Sequence, residues 1–104
     1  MVQLKEIELI AKKIGMAIKA KKVILFGSYA KGTATEESDV DFLIIANSVL
    51  PRYKRSRELY KLFNPYPFPM DLLVYTPEEI NKSLTYSVSF ISNLLKEGKL
   101  IYEG

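Results

Sequence analysis

The sequence predicts an α/β (α+β) domain, a sheet of about four strands with helices packed on it. Three observations carry this. Short apolar runs rich in β-branched residues alternate with helical segments in the order α-β-α-β-α-β-α-α-β. The 104 residues are 48% hydrophobic and 26% charged, the make-up of one globular domain over residues 1–104. No repeat, low-complexity tract or linker divides them.

The elements follow in order. Leu4, Ile7, Ile10, Ile14 and Ile18 recur at helical spacing and form one core-facing stripe of a helix over 3–20, slightly weakened by Gly15. Residues 22–26 form a strand buried on both faces. It stops at Gly27-Ser28, with Ser28 expected to cap a short helix over 29–31. Residues 32–38 have loop composition, and 40–46 form a second buried strand. Pro51 suits the first turn of a basic helix over 51–63, which the alternating prolines 65, 67 and 69 end. Residues 70–75 form a third strand. Thr76-Pro77-Glu78-Glu79 has the pattern of a capped helix start, giving a helix over 77 to about 82. A further helix is expected from about 86 to 96, with Val88, Ile91, Leu94 and Leu95 apolar. Gly98 ends it, and 99–102 form a last strand.

Composition narrows the chemistry. There is no cysteine, which excludes disulfides and thiolate metal sites and favours an intracellular, cytoplasmic location. There is no histidine, which removes Ser-His and Cys-His nucleophile pairs and imidazole ligands. Any metal site must therefore use oxygen, as Mg²⁺ or Mn²⁺ prefer. A net charge of +3 suits an anionic ligand such as a nucleotide and is weak support for duplex binding. No signal-peptide pattern or membrane-length apolar run is present, so no membrane partner is expected.

Asp39 and Asp41, at i and i+2 of a strand, share a face with Cα atoms roughly 7 Å apart. Two carboxylates so placed repel, and a divalent ion is their natural neutraliser. The same residues also read as a turn followed by a solvated strand end. Asp71, one residue into the third strand, adds a third carboxylate if that strand lies beside the second. Three carboxylates suit a two-metal site that clamps a phosphate and activates a hydroxyl. Gly27-Ser28, between a buried strand and a helix start, offers backbone N–H groups and a hydroxyl to an anion, with Lys31 in reach. The plain alternative is an ordinary strand-to-helix turn. Gly27 to Gly32 has the glycine spacing of a P-loop, but Thr33-Ala34 follow where Lys-Ser/Thr should stand, which argues against a Walker-type NTPase.

Taken together, Phe26-Gly27-Ser28-Tyr29-Ala30-Lys31-Gly32, then Ser38-Asp39-Val40-Asp41-Phe42, then Asp71 resemble the nucleotidyltransferase superfamily that includes DNA polymerase β. Within it they are similar to the minimal nucleotidyltransferases (MNT-domain proteins). The motifs span about 22–75, and the tail is similar in style. The resemblance implies a polymerase β-like mixed sheet. It implies that Asp39 and Asp41 hold two Mg²⁺ ions, with Mn²⁺ an alternative, and that Asp71 completes one site and helps deprotonate the attacking hydroxyl. Gly27 and Ser28 would bind the β- and γ-phosphates of ATP, and Lys31 a phosphate oxygen. The implied reaction is AMP transfer to a hydroxyl with release of pyrophosphate. The implied partner is a HEPN-domain toxin, modified on a tyrosine, with this chain as its antitoxin.

A non-catalytic module that neutralises its partner by contact is the main alternative. A small-molecule nucleotidyltransferase is another, and the lack of an acceptor domain argues against it. Nucleic-acid polymerisation is not expected. A homo- or hetero-oligomer is compatible with this reading. The basic segment containing Arg52, Lys54, Arg55 and Arg57 reads either as a phosphate or acidic-partner surface or as the solvated side of a helix.

Overall fold

A computed structural model describes residues 1–85 and 89–104. The element order is α1 (Leu4–Ala17), β1 (Lys22–Phe26), α2 (Ser28–Lys31), β2 (Val40–Ile45), α3 (Arg52–Tyr60), β3 (Met70–Tyr75), α4 (Pro77–Ser83), α5 (Phe90–Glu97) and β4 (Lys99–Glu103). Among the described residues the strands make one mixed sheet of four, in the order β3-β2-β1-β4. β1 is antiparallel to both β2 and β4, whereas β2 and β3 are parallel. The expected α/β architecture is therefore present, with α3 as the crossover that parallel neighbours require.

Strand alternation feeds two cores. Val40, Phe42 and Ile44 of β2 pack with Ile7, Ala11 and Ile14 of α1 and Leu59 of α3 on one face. Leu43 and Ile45 pack with Ile80 of α4 and Ile91 and Leu94 of α5 on the other. Phe42 and Leu43 are fully buried, and each contributes about 1.5–3 kcal/mol by leaving water.

Several expectations change. Leu4 is 56% exposed, because it opens α1 at the end of the stripe, and the helix stops at Ala17. Gly15 is a packing requirement: a Cβ there would overlap the Tyr102 ring on β4. The cap of α2 is Gly27, so Ser28 is its first helical residue and no side chain caps it. Pro51 occupies the cap position of α3, and that helix ends at Tyr60. The expected start of α5 at 86–88, with Val88, lies outside the described residues. The described helix is capped by Ser89, whose hydroxyl accepts from the Ser92 N–H. Gly98 follows α5 in extended conformation, where a Cβ would press on Ile24 and the backbone of β1.

The basic segment is partly internal. Arg55 donates to Glu79 Oε1 at 2.6 Å, to the Leu50 carbonyl at 2.9 Å and to the Val74 carbonyl at 3.2 Å, tying α3 to α4 and β3. Arg52 also reaches Glu79 and stacks on Tyr75. Glu79 in turn closes the capping box with Thr76 as the sequence predicts. Burial pushes the Glu79 carboxyl up, but hydrogen bonds from Arg55 and the Thr76 N–H and the Arg55 charge outweigh it, lowering it from 4.5 to about 2. Its stabilisation is therefore complete above about pH 4.5 and is lost as pH falls through 2. Glu79→Gln is expected to cost about 1.5–3 kcal/mol at pH 7. In urea titrations the variant should also lack the Glu79 contribution to the decline of stability expected of wild type between pH 4.5 and 2.

Candidate active site

The topology decides where the two sequence motifs meet. β1 is antiparallel to β2, so the exit of β1 stands at the entry of β2, and Phe26 pairs with Asp41. β3 is parallel to β2, so both enter at that same end, and Asp41 pairs with Asp71. Gly27, Asp41 and Asp71 thus lie in a row across one end of the sheet. In-register neighbours on paired strands sit about 4.8 Å apart and point to the same face. Asp39, two residues before Asp41, belongs to that face as well.

Gly27 has φ +73°, a conformation that L side chains rarely adopt. A Cβ built on it would run into Asp41 Oδ2. The turn and the carboxylate pair are therefore in direct apposition, and only glycine allows the approach. Ser28 follows, half-buried, with its hydroxyl unbonded among the described residues. Lys31 ends α2 in a solvent-exposed ion pair with Glu97, at 3.3 Å. Exposed pairs of this kind are worth little, so its ammonium is not committed.

Asp39 and Asp71 are exposed, and Asp41 is half-buried. Burial first, then the charge of Asp71, then that of Asp39, push the Asp41 carboxyl up from 3.8 to about 6. Asp41 senses both of its neighbours, yet the three acids do not form a finished ion cage. Among the described residues no group of three or more acidic side chains is arranged to hold a metal ion. The donor chemistry nevertheless fits a hard divalent cation: all-oxygen ligands, with a mutual repulsion that such an ion would relieve.

Tyr60, to which no sequence motif assigns a role, also reaches this end of the sheet. Its hydroxyl donates to the Met70 carbonyl at 3.0 Å and accepts from the Leu72 N–H at 3.1 Å. These groups flank Asp71 on the free edge of β3, so α3 pins the strand at the carboxylate. Burial first raises the Tyr60 hydroxyl, and the charge of Asp71 adds to it. No periodicity signals this role, because it depends on one hydroxyl reaching a strand edge. The entry of β3 is held from the other side by the Val40 N–H, which donates to the Pro69 carbonyl at 3.0 Å. Ahead of Asp39, Ser38 Oγ accepts from the Thr35 N–H at 2.8 Å and closes the loop.

The sequence profile of the nucleotidyltransferase domain matches residues 4–101. A Methanocaldococcus jannaschii protein provisionally named a protein adenylyltransferase is 40% identical over 83 residues, covering 79% of this chain and 78% of its own. The fold is similar to the crystal structure of a provisionally named nucleotidyltransferase from Sulfolobus solfataricus. The TM-score is 0.65 at 18% identity, over 96% of this chain and 79% of that one. It is also similar to a crystal structure described as a toxin–antitoxin with AMP-PNP. Here the TM-score is 0.59 at 22% identity, over 93% of this chain and 73% of that one.

The carboxylate repulsion is measurable without substrate. Asp41 titrates above its unfolded value, so its cost is absent below about pH 3.8 and grows as pH rises through 6. In EDTA at pH 8, Asp41→Asn is expected to be more stable than wild type by about 1–2 kcal/mol, water screening part of the penalty. The gain should vanish near pH 4 in urea unfolding. A variant less stable than wild type at pH 8 would contradict the placement of Asp41 between its neighbours.

Proposed function

The chain belongs to the nucleotidyltransferase domain family, and on that premise we propose that it transfers AMP from ATP to a partner-protein hydroxyl. The acceptor in this reading is a tyrosine of a HEPN-type toxin, and the chain acts as its antitoxin. The observation that carries it is the apposition of the Gly27 turn to Asp41, with Asp71 in register beside them. The protein-adenylyltransferase name of the relative and the toxin–antitoxin neighbour with AMP-PNP support the choice of substrate and partner.

The roles follow from the row. Gly27 and Ser28 bind the β- and γ-phosphates through backbone N–H groups and the Ser28 hydroxyl, and Lys31 moves from Glu97 to a phosphate oxygen. Asp39, Asp41 and Asp71 are the residues that would hold two Mg²⁺ ions. When bound, the ions supply charge neutralisation and polarise the α-phosphate. The acceptor oxygen forms a bond to the α-phosphorus, the bond to the β-phosphate bridging oxygen breaks, and pyrophosphate leaves. Asp71 takes up the hydroxyl proton. No histidine is needed, because positioning and electrostatics carry this chemistry.

One observation favours a second reading. The three carboxylates do not converge as they stand, which suits a module that neutralises its partner by contact alone. One experiment separates the two. The chain, Mg²⁺ and α-labelled ATP are incubated with a HEPN-type toxin, and label on the toxin is measured. Asp39→Asn with Asp41→Asn is expected to lower transfer by about 100-fold or more while leaving the complex intact. Equal transfer by the double variant would remove the metal assignment. Neutralisation without any labelling would leave the contact reading.

A further inference from the structure

The face that carries the carboxylates also carries an aromatic pair. Phe26 ends β1 in register with Asp41. Its ring meets the Phe90 ring at the start of α5 edge to face, with centroids 6.2 Å apart and planes at 84°. Phe90 is 57% exposed. We propose that the Phe90 ring is the surface on which the base of the bound nucleotide stacks. The proposal rests on the transferase reading above and adds to it the residue that holds the nucleoside end of the substrate.

Position comes first. Phe26 packs against the core that Leu43 shares with α4 and α5, so it points to the face of Asp41 and Asp71. The residue after it is Gly27. α5 borders this end of the sheet at both of its ends: Phe90 meets Phe26 at the start, and Glu97 meets Lys31 of α2 at the finish. In-line displacement sets the acceptor and the pyrophosphate on opposite sides of the reacting phosphorus. With pyrophosphate at Gly27 and Ser28 and the acceptor toward Asp71, both directions along the row are taken. The ribose therefore leaves the phosphorus sideways. The side on which the carboxylates project is the one that α5 borders, and the base carried by that ribose meets the start of α5, where Phe90 stands.

Chemistry comes second. A single exposed ring is ordinary on a protein surface, and its place sets this one apart. A perpendicular contact takes up at most one face of the Phe90 ring, so a flat partner can lie on another. Phe26 is half-buried and braces the ring, which lowers the cost of ordering it on binding. Other rings near the row are committed elsewhere. Tyr29 and Tyr60 pack with the core on the α1 side, and Tyr75 lies at the far end of β3 against Arg52. A lone exposed ring also suits a protein partner. Charged residues are depleted at the centre of protein interfaces, however, and here the half-buried Asp41 lies in register with the strand residue that braces the ring. A ligand that joins a flat ring to phosphates fits that neighbourhood better.

The test measures binding to the full chain in Mg²⁺ by calorimetry. The ligands are ATP and inorganic tripolyphosphate, which has the phosphates and no base. Phe90→Ala is expected to weaken ATP binding about tenfold and to change tripolyphosphate binding by no more than about twofold. Tyr53→Ala, which removes another exposed ring on α3, should leave ATP binding within about twofold of wild type. The chain has no tryptophan, so Phe90→Trp supplies a single reporter. Its fluorescence should be quenched by ATP and not by tripolyphosphate, with ATP bound at least as tightly as by wild type. Unchanged ATP affinity in Phe90→Ala overturns the proposal and leaves the ring to a protein partner. Equal loss of ATP and tripolyphosphate overturns it as well, since the damage then lies at the phosphate end. So does a tryptophan that does not respond to ATP. A wild-type chain that binds neither ligand counts against the transferase reading, whereas ATP binding indifferent to Phe90 counts against this proposal alone.

Discussion

The structure turns on one half-buried carboxylate. Asp41 stands between Gly27 at the exit of β1 and Asp71 on β3, and burial first, then the charges of Asp71 and Asp39, push its carboxyl up to about 6. A group in that position is expensive in an isolated domain. It is tolerated because β2 is central and the residues around it, Val40, Phe42, Leu43 and Ile44, are completely buried. Burial of that strand fixes its register, since a one-residue slip would exchange the two apolar faces and turn Asp41 into the core. The carboxylate is thus held by the strand it destabilises.

Strand directions complete the constraint. With β1 antiparallel to β2 and β3 parallel to it, one exit and two entries share an end of the sheet. The turn after β1 and the acidic residues of β2 and β3 become neighbours for that reason alone. The fold then secures β3 from two sides, through Pro69 to Val40 on the inner edge and through Tyr60 on the outer. Arg55 and Glu79 perform the same service at the other end of β3, through the Val74 carbonyl and the cap of α4. The edge strand is clamped along its length, which keeps Asp71 opposite Asp41.

Much of this was legible in the sequence, and the limits have physical causes. The strands are visible because their runs are only five or six residues long, a length that favours strands over helices, and are bounded by turn residues. The α4 start was visible because Thr76, Pro77 and Glu79 act locally. Gly15 was misread because propensity counts a mid-helix glycine as a cost, whereas its value lies in a ring from a strand more than eighty residues away. Leu4 and the length of α3 were misjudged because periodicity does not say where the sheet beneath a helix ends. Asp39, Asp41, Asp71, Gly27 and Ser28 stand out by spacing as candidates, and Gly27 and the three aspartates lie at one end of the sheet. Lys31 is at the end of α2 facing Glu97, a partner no local pattern announces. Tyr60 was invisible as a strand clamp for the same reason.

The basic run of α3 shows how a helix separates duties that a sequence merges. Arg52 and Arg55 are three apart and share a stripe, and both meet Glu79. Arg57 is two residues beyond Arg55, about 200° around the axis, and so faces away from Glu79. Lys61, four residues after Arg57, follows it. Tyr60, three after Arg57, lies between these cations and the edge of β3. One stripe therefore fixes the helix to the domain, and the other leaves Arg57 and Lys61 exposed to solvent. A contiguous cluster of positive charge in sequence becomes a structural latch on one side and a solvated face on the other. The latch sets the helix orientation from which Tyr60 reaches the edge of β3.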